Sequence, residues 1–324
     1  MRHLAQRFMT MGAVWAVAMA VCAEASAQNW LLVYTGGTNH PRYSGQRFSE
    51  LLYPEASPGP GPVVSGLLFM ETHSPSGRNY LSWGQAGPPS PKDYLSYLDT
   101  ILAPNGAVAA ADSVVAAHGD SILAAIMIPY PLGSVSRRPY WDSRVTFVAD
   151  YLQHADSLFA ARGFTAVRLW GFYWLPEAVS PVDTSIVQHF TALVHFHGLK
   201  ALWIPYFGSP LASRWRDLGF DQAFLQPNFF VVPATTPARL DSALADATAW
   251  DMGFEIEFDH RLLTDKQFRG RLAPYLDLIQ SPAASNLPAI AVYDGAGTSW
   301  GLAESTDPEL HALYVRLLTV LRRR

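Results

Sequence analysis

Eight short apolar runs, separated by segments with helical periodicity, are the feature that most restricts the possible fold. The runs lack the polar alternation of a strand with one face in water, so they are typical of strands covered on both sides. The predicted strands cover residues 30–34, 63–70, 121–130, 165–174, 200–207, 222–230, 252–259 and 289–293. The predicted helices cover residues 92–102, 107–117, 143–161, from 180 or 183 to 197, 237–250, 265–278 and 308–321.

Eight strands that alternate with helices within about 260 residues match the count and size of a (β/α)8 TIM barrel. We therefore predict an α/β fold in which residues 28–324 form one barrel domain. The alternative is a doubly wound open sheet, which commonly binds nucleotides through a glycine-rich loop after its first strand. No such fingerprint follows residues 30–34. In a barrel, the functional residues are expected at the carboxyl ends of the strands.

The composition argues against several classes of function. The 324 residues are 15% charged, and the formal net charge of -4 gives no electrostatic reason to expect a nucleic-acid partner. After the N-terminal segment, no stretch has the ~20 uninterrupted apolar residues that cross a membrane. The histidines lack metal-binding spacing, and no Gly-x-Ser-x-Gly motif occurs. We therefore expect no metal and no cofactor, while the oligomeric state is not predicted.

The N-terminus has the pattern of a signal peptide. Arg2 and Arg7 precede an apolar run over residues 9–22, and the small residues 25–27 form a cleavage site. We interpret residues 1–27 as a removed signal peptide and expect an exported protein, periplasmic or secreted. A lipid anchor on Cys22 is the less favoured alternative. Because Cys22 is the single cysteine, we expect a mature protein without disulfides.

The predicted strand over residues 252–259 places acidic and apolar side chains on opposite faces. Side chains alternate along a strand, so Glu255, Glu257 and Asp259 share one face. Carboxyl groups aligned in a buried sheet have perturbed pKa values, through desolvation and mutual repulsion, and such groups are often functional. The alternative is a half-exposed edge strand with a solvated acidic face.

Other strand ends add amides, aromatic rings and a further carboxylate to the same rim. Such a mixture suits a carbohydrate substrate, because sugar faces stack on aromatic rings and sugar hydroxyls bond to amides and carboxylates. Gln226 and Asn228 have the alternative role of satisfying backbone groups at the rim. The candidate substrate-binding residues are Trp170, Tyr173, Trp174, Tyr206, Gln226, Asn228, Asp259, Tyr293 and Asp294.

Glu177 and Glu257 are the predicted catalytic pair of a glycoside hydrolase. Glycosidic cleavage needs an acid with a raised pKa and a second carboxylate that attacks or stabilises the sugar cation. Glu177 follows two aromatic residues, which favours the acid role, and Glu257 is assigned as the nucleophile with Glu255 as the alternative. Glu177 is alternatively a solvated residue near a helix start. We favour retention of configuration, because acids at these two strand ends resemble the arrangement of retaining barrel enzymes.

The fourth predicted strand is expected to place Arg168, Trp170 and Phe172 on one face. Arg168 would then point into the barrel, where we expect a structural ion pair with Glu255 rather than a catalytic role.

Several stretches around these residues carry a resemblance to a known family. They are Arg162-Gly163-Phe164, Trp170-Gly171-Phe172-Tyr173-Trp174 with Glu177, Ile204-Pro205-Tyr206, Gly219-Phe220-Asp221, Leu225-Gln226-Pro227-Asn228 and Gly253-Phe254-Glu255-Ile256-Glu257-Phe258-Asp259. The chain resembles a family of exported bacterial proteins that is labelled as a domain of unknown function and described as glycoside-hydrolase-like barrels. The resemblance implies a barrel and a link to carbohydrates, and it supplies neither a substrate nor a catalytic pair. The Asn-Glu pair that many retaining barrel glycosidases carry on the fourth strand is absent here.

Three functions fit these observations. The leading one is a glycoside hydrolase that acts on a polysaccharide or its fragments. A non-catalytic carbohydrate-binding barrel is the competing interpretation, and a lyase or transferase on the same scaffold is the third. The sequence specifies neither the sugar nor its linkage.

We expect the exported protein to begin at Gln28, because signal peptidase cuts after a small-x-small site such as residues 25–27. Intact-mass measurement of protein from a periplasmic or culture fraction tests this expectation. Retention of residues 1–27, or a lipid on Cys22, would contradict it.

Overall fold

The computed structural model of the protein describes residues 28–40, 43–57, 59–81, 89–131 and 140–322. In this part of the chain, eight parallel strands close into a barrel in sequence order, and the first strand pairs with the last. Helices connect the strands on the outside, which confirms the predicted single-domain (β/α)8 barrel over the open sheet. The predicted signal peptide lies outside the described residues.

The strands and helices follow the sequence predictions closely, although α1, α7 and α10 below were not predicted. The strands are β1 (Trp30–Tyr34), β2 (Gly66–Met70), β3 (Ile122–Ile128), β4 (Val167–Trp174), β5 (Lys200–Trp203), β6 (Gln222–Leu225), β7 (Gly253–Glu257) and β8 (Ile290–Tyr293). The helices are α1 (Gly45–Leu52), α2 (Pro91–Ile101), α3 (Ala107–Ala117), α4 (Tyr140–Arg162), α5 (Thr184–Phe196), α6 (Ala238–Ala249), α7 (Arg261–Thr264), α8 (Lys266–Arg269), α9 (Ala273–Gln280), α10 (Thr298–Ala303) and α11 (Pro308–Leu321). None of these helices is long and apolar enough to cross a bilayer.

β5 and β6 are shorter than predicted because a proline closely follows each strand. Pro205 and Pro227 have no backbone N–H to donate to a ladder of hydrogen bonds. Both strands end before their proline, and the two segments meet again through a bridge between Tyr206 and Gln226. This bridge brings the loops after β5 and β6 together at the carboxyl end of the barrel.

The single helix predicted over residues 265–278 is wrong. The structure has two helices there, α8 and α9, and α8 ends at Arg269 with Gly270 as its C-cap. α9 begins at Ala273, and Pro274 lies in its first turn. Proline is favoured at this place because its missing N–H is not needed there.

A bulge interrupts the alternation of side chains halfway along β4. Leu169 pairs with Ala124 and Gly171 pairs with Ala125, so Trp170 is an extra residue in the register with β3. The residues before and after this point therefore do not follow one alternation, and the predicted common face of the strand does not exist.

The predicted ion pair between Arg168 and Glu255 is wrong. Arg168 lies at the amino end of β4, where its side chain is exposed and donates to the Ser121 hydroxyl at 3.4 Å. Glu255 lies two residues from the carboxyl end of β7, so the two side chains occupy different levels of the barrel.

Indole rings fill the amino-terminal end of the barrel interior. Trp30 is fully buried, its N–H donates to Gln222 Oε1 at 2.9 Å, and its ring centroid lies 5.1 Å from that of Trp170. A Cβ at position 66 would lie 2.4 Å from the Trp30 ring, so glycine is needed there. The carboxyl-terminal end, opposite this packing, is the mouth of the barrel.

The side chain of Asn29 closes the seam between the first and last strands. Its Oδ1 accepts the backbone N–H of Ile290, and its Nδ2 donates to the carbonyl of Leu321, both at 2.9 Å. A buried amide thereby links the start of β1 to β8 and to the end of α11.

Replacing Gly171 with alanine is expected to lower the free energy of unfolding by about 1–3 kcal/mol or more, because overpacked backbone must shift. A Cβ at this position would lie 1.8 Å from the carbonyl oxygen of Lys200 on β5. Gly270→Ala is the matched control, since no atom lies within 4 Å of its Cβ position and its φ is -81°. Urea unfolding compares the two, and equal stabilities would contradict the prediction.

Candidate active site

β7 carries two carboxyl groups into the barrel interior. Glu255 is 1% exposed and Glu257 is fully buried. On the other face of the strand, the ring of Phe254 lies 6.4 Å from that of Tyr275 on α9. The alternative of an edge strand with a solvated acidic face is therefore wrong.

Two hydrogen bonds hold one oxygen of Glu257. Its Oε2 accepts the backbone N–H of Asn228 at 2.7 Å and the hydroxyl of Tyr275 at 2.8 Å. Asn228 adopts a left-handed conformation with φ of 55°, which asparagine tolerates better than most residues do. Both donors favour the ionised form of the carboxyl.

The two carboxyl groups of β7 differ in how readily they ionise. Burial raises the pKa of Glu257 to about 7, while the hydrogen bonds from Tyr275 and Asn228 act in the opposite direction. Burial, followed by the charges of Glu257 and Glu177, raises the pKa of Glu255 well above its usual range. Among the described residues, neither Glu255 Oε2 nor Glu257 Oε1 has a hydrogen-bond partner. Burial therefore favours the protonated form of Glu255, whereas two hydrogen-bond donors favour the ionised form of Glu257.

Glu177 reaches the same place from the loop after β4. Its carbonyl accepts the N–H of Tyr206 at 3.2 Å and the hydroxyl of Ser209 at 3.0 Å. Surrounding protein raises the pKa of the Glu177 carboxyl, and a hydrogen bond from Gln226 lowers it. The side chain is nevertheless exposed, so partial hydration limits that rise. A ligand can therefore reach this carboxyl from solvent.

The amide of Gln226 lies between Glu177 and Glu257. It acts to lower the pKa of both carboxyls, so the amide lies near each of them. The backbone of Gln226 is fixed by the bonds that it makes to Pro205 at 2.9 Å and Phe207 at 2.7 Å. The ends of β4, β6 and β7 thus meet at one point.

Tyrosine rings surround the carboxyl groups. The ring of Tyr34, at the end of β1, lies 5.4 Å from that of Tyr293. Burial raises the pKa of the Tyr34 hydroxyl, and the nearby Tyr293, Tyr173, Glu177 and Glu255 add to that rise. Two of the predicted substrate-binding residues, Tyr173 and Tyr293, therefore lie at the mouth beside the acids.

The two predicted substrate-binding tryptophans lie elsewhere, which corrects the sequence analysis. Trp170 contacts Trp30 at the opposite end of the barrel. Trp174 is 1% exposed, and its ring packs 5.3 Å from that of Phe190 on α5. The bulge in β4 is the physical reason, because it turns Trp174 toward the helices and Tyr173 toward the mouth.

Asp259 and Asp294 are engaged in local structure. Asp259 forms an ion pair of 2.6 Å with Arg261, and although burial raises its pKa, the bonds from Arg261 hold it below the usual value. Asp294 is 1% exposed and accepts the backbone N–H groups of Gly297 at 3.0 Å and Ser299 at 3.3 Å. Both carboxylates therefore shape the loops after β7 and β8.

Three rim residues were missed by the sequence analysis, namely Tyr34, His40 and Glu71. Glu71 directly follows β2, is fully buried and lies 2.7 Å from the imidazole Nδ1 of His40. The His40 ring lies 5.0 Å from that of Tyr34. Their position in the sequence could have indicated a role at the rim, because Tyr34 ends β1 and Glu71 directly follows β2.

Other potential sites are weaker. No group of three His, Cys, Asp or Glu side chains in the described ranges could hold a metal ion. A cavity between β1, α1 and α11 contains none of the mouth carboxylates and is lined mainly by apolar residues, including Leu31, Leu51, Val64 and Leu318. The mouth is therefore the candidate active site.

Comparison with known proteins agrees with this architecture. Two solved structures share the fold with TM-scores of 0.52 and 9% identity: a GH5-4 broad specificity endoglucanase from an uncultured bacterium and a glycoside hydrolase family 5 enzyme from Prevotella bryantii B14. The alignments cover 92% of this chain in both cases, and 95% and 96% of those chains. A search of curated proteins found no match. The family model described as "Domain of unknown function (DUF4855)" matches residues 29–319, so the chain belongs to that family.

The stability of the protein is expected to fall as pH rises from about 4.5 to about 7. Glu257 has an ordinary pKa of 4.5 and a folded pKa of about 7, so the folded state binds this proton more tightly. The resulting stabilisation, on the order of 3 kcal/mol, is fully present below the unfolded pKa and is lost as pH rises through the folded pKa.

Urea unfolding between pH 4.5 and 7.5 measures this dependence. Glu257→Gln should make this dependence less steep, with Glu255 still contributing, whereas the exposed-site control Glu304→Gln should keep the wild-type slope. The same slope in Glu257→Gln and wild type would contradict the prediction.

Proposed function

We propose that this member of the DUF4855 family is a glycoside hydrolase that cleaves a polysaccharide or its fragments. The observation that carries the proposal is the convergence of Glu177, Glu255 and Glu257 at the mouth, where burial raises the pKa of each and the charge of Glu177 adds to the rise in the other two. The shared fold with two glycoside hydrolases supports it at the level of architecture. Residues 1–27 support the further proposal that the enzyme is exported.

Glu177 is assigned as the general acid. A raised pKa keeps its proton available nearer to neutral pH, and its exposure allows a glycosidic oxygen to approach. Proton transfer from Glu177 to that oxygen lets the leaving sugar depart as a neutral alcohol.

Glu257 is assigned as the nucleophile. The donors Asn228 and Tyr275 hold its Oε2, which leaves Oε1 to attack the anomeric carbon. The bond to the leaving sugar breaks as the bond to Glu257 forms. Water then attacks the same carbon, Glu177 takes up the proton of that water, and Glu257 leaves as a carboxylate stabilised by its two donors. Two displacements at one carbon retain its configuration.

Glu257 is a better nucleophile than Glu255 for an electrostatic reason. The anion of Glu257 accepts two hydrogen bonds, whereas Glu255 has a pKa raised well above the usual range and an Oε2 without a donor among the described residues. Because Glu257 is covered in the free protein, the sugar must displace a neighbouring group. The half-buried amide of Gln226 is the group that we expect to move.

The competing function is a non-catalytic carbohydrate-binding barrel. The complete burial of Glu257 in the free protein is the observation that favours it. The tyrosines of the mouth would then bind sugar without cleavage.

Glu257→Gln is expected to abolish hydrolysis, and Glu177→Gln to lower kcat by about 10²–10⁴-fold on natural linkages, the typical contribution of a general acid. Glu177→Gln should retain more activity on aryl glycosides, because their leaving groups need little protonation. Glu304→Gln is the surface control. New reducing ends from a panel of polysaccharides measure turnover, and proton NMR of the first-formed anomer should show retention.

Unchanged turnover in Glu257→Gln would remove this residue from the mechanism and promote Glu255. Binding of a glycan without any cleavage would favour the binding barrel, unsaturated products would indicate a lyase, and an inverted first anomer would replace the attack by Glu257 with attack by water.

A further inference from the structure

A carboxylate and an imidazole form a second pair at the rim, between the loops after β1 and β2. Nδ1 of His40 lies 2.8 and 2.7 Å from the two carboxyl oxygens of Glu71. Glu71 is fully buried, and its Oε1 accepts the backbone N–H groups of Thr72 at 2.7 Å and His73 at 3.3 Å. The fixed carboxylate therefore holds the imidazole in one orientation.

The fold is built tightly around this pair. A Cβ at position 37 would lie 2.5 Å from Glu71 Cγ and 2.3 Å from the carbonyl oxygen of His73, so a glycine is required where the two loops meet. Burying a carboxylate is costly, and apolar side chains of similar volume often stabilise a protein as well as an ion pair does. Stability alone therefore explains poorly why a buried carboxylate is present at position 71. The orientation of His40 explains it sufficiently.

His40 is connected to the catalytic carboxylates through the ring of Tyr34. Its ring is 5.0 Å from Tyr34, whose ring is 5.4 Å from Tyr293 and whose hydroxyl is close to Glu177 and Glu255. The side chain of His40 is 25% exposed. Since Nδ1 faces Glu71, Nε2 is the ring nitrogen available to a ligand at the mouth.

We propose that His40 is a substrate-binding residue of a subsite next to the cleavage centre, with Glu71 as its positioning residue, and that this subsite takes a hydroxyl of a neutral sugar. The inference deepens the proposed function and rests on it for the nature of the ligand. A carboxylate beside Nδ1 favours the tautomer with its proton on that nitrogen, so Nε2 presents a lone pair to a hydroxyl.

The charges around the mouth favour a neutral ligand. Glu177, Glu255 and Glu257 lie near one another on the inner side, and an anionic sugar would be repelled when Glu257 ionises. The nearby cation Arg261 is paired with Asp259, and the tautomer of His40 described above is uncharged. A uronic acid would therefore find no unpaired positive charge among these groups.

Binding to Glu257→Gln protein, which is expected not to turn over, tests the proposal by calorimetry. The probes are cellohexaose, xylohexaose and mannohexaose, with a hexamer of galacturonic acid as the anionic comparison. In the Glu257→Gln protein, the second substitution His40→Ala should weaken binding of the neutral hexamer by about tenfold, which is the effect of losing one hydrogen bond. Glu71→Gln should weaken it in the same direction, because the imidazole loses its fixed orientation.

His118→Ala is the matched control. This exposed histidine stacks on Tyr53 with ring centroids 3.6 Å apart, and it follows α3, before the amino end of β3. The control should leave affinity unchanged.

In the wild-type background, His40→Ala should raise KM by a similar factor and change kcat less, so the test does not depend on one variant.

The outcomes separate the two proposals. If His40→Ala binds the hexamer as tightly as the parent protein does, this inference is overturned and the proposed function stays intact. The same holds if His40→Ala lowers only the melting temperature and leaves the affinity unchanged. If the wild-type protein cleaves no glycan but binding still depends on His40, the inference is retained and the proposed function is overturned. Tighter binding of the galacturonate hexamer, or binding of none of the probes, overturns the subsite as stated here.

Discussion

The free energy needed to remove carboxyl groups from water governs the arrangement of the mouth. Glu255 and Glu257 occupy one face of one strand, yet the protein treats them differently. Glu257 receives two donors that favour its ionised form, whereas Glu255 lacks them, and burial raises its pKa well above the usual range. Two glutamates that lie two positions apart on β7 therefore differ in how readily they ionise. The loop after β6 and helix α9 cause this difference, because their donors bond to Glu257 and not to Glu255.

One extra residue in β4 decides which aromatic side chains reach the acids. With strict alternation from Trp170, Trp174 would face the mouth and Tyr173 would face the helices. The bulge reverses this arrangement, so a phenol stands beside Glu177 and Glu255 while the indole packs on α5. Directly after the bulge, β4 approaches β5 so closely at Gly171 that no side chain fits there.

The sequence predicted the barrel well because buried parallel strands are apolar on both faces and stand out as runs. It also predicted the acids of β7, since alternation within one strand is a local property. The bulge at Trp170 depends on register with β3, which no local pattern encodes. The pairing of His40 with Glu71 joins residues 31 positions apart in two loops, and loops have no periodicity to read. Local chemistry was therefore predictable, while contacts between loops were not.

The amide of Asn29 places a limit on the order of folding. Its bond to Leu321 joins residues 292 positions apart, so this part of the seam forms after almost the whole chain is available. β1 therefore has one unpaired edge until the last strand and the last helix are in place. During that time an apolar strand edge is unpaired on one side and able to pair with other chains. A folding catalyst or holdase that covers β1 would act in this interval, before the ring of strands is complete.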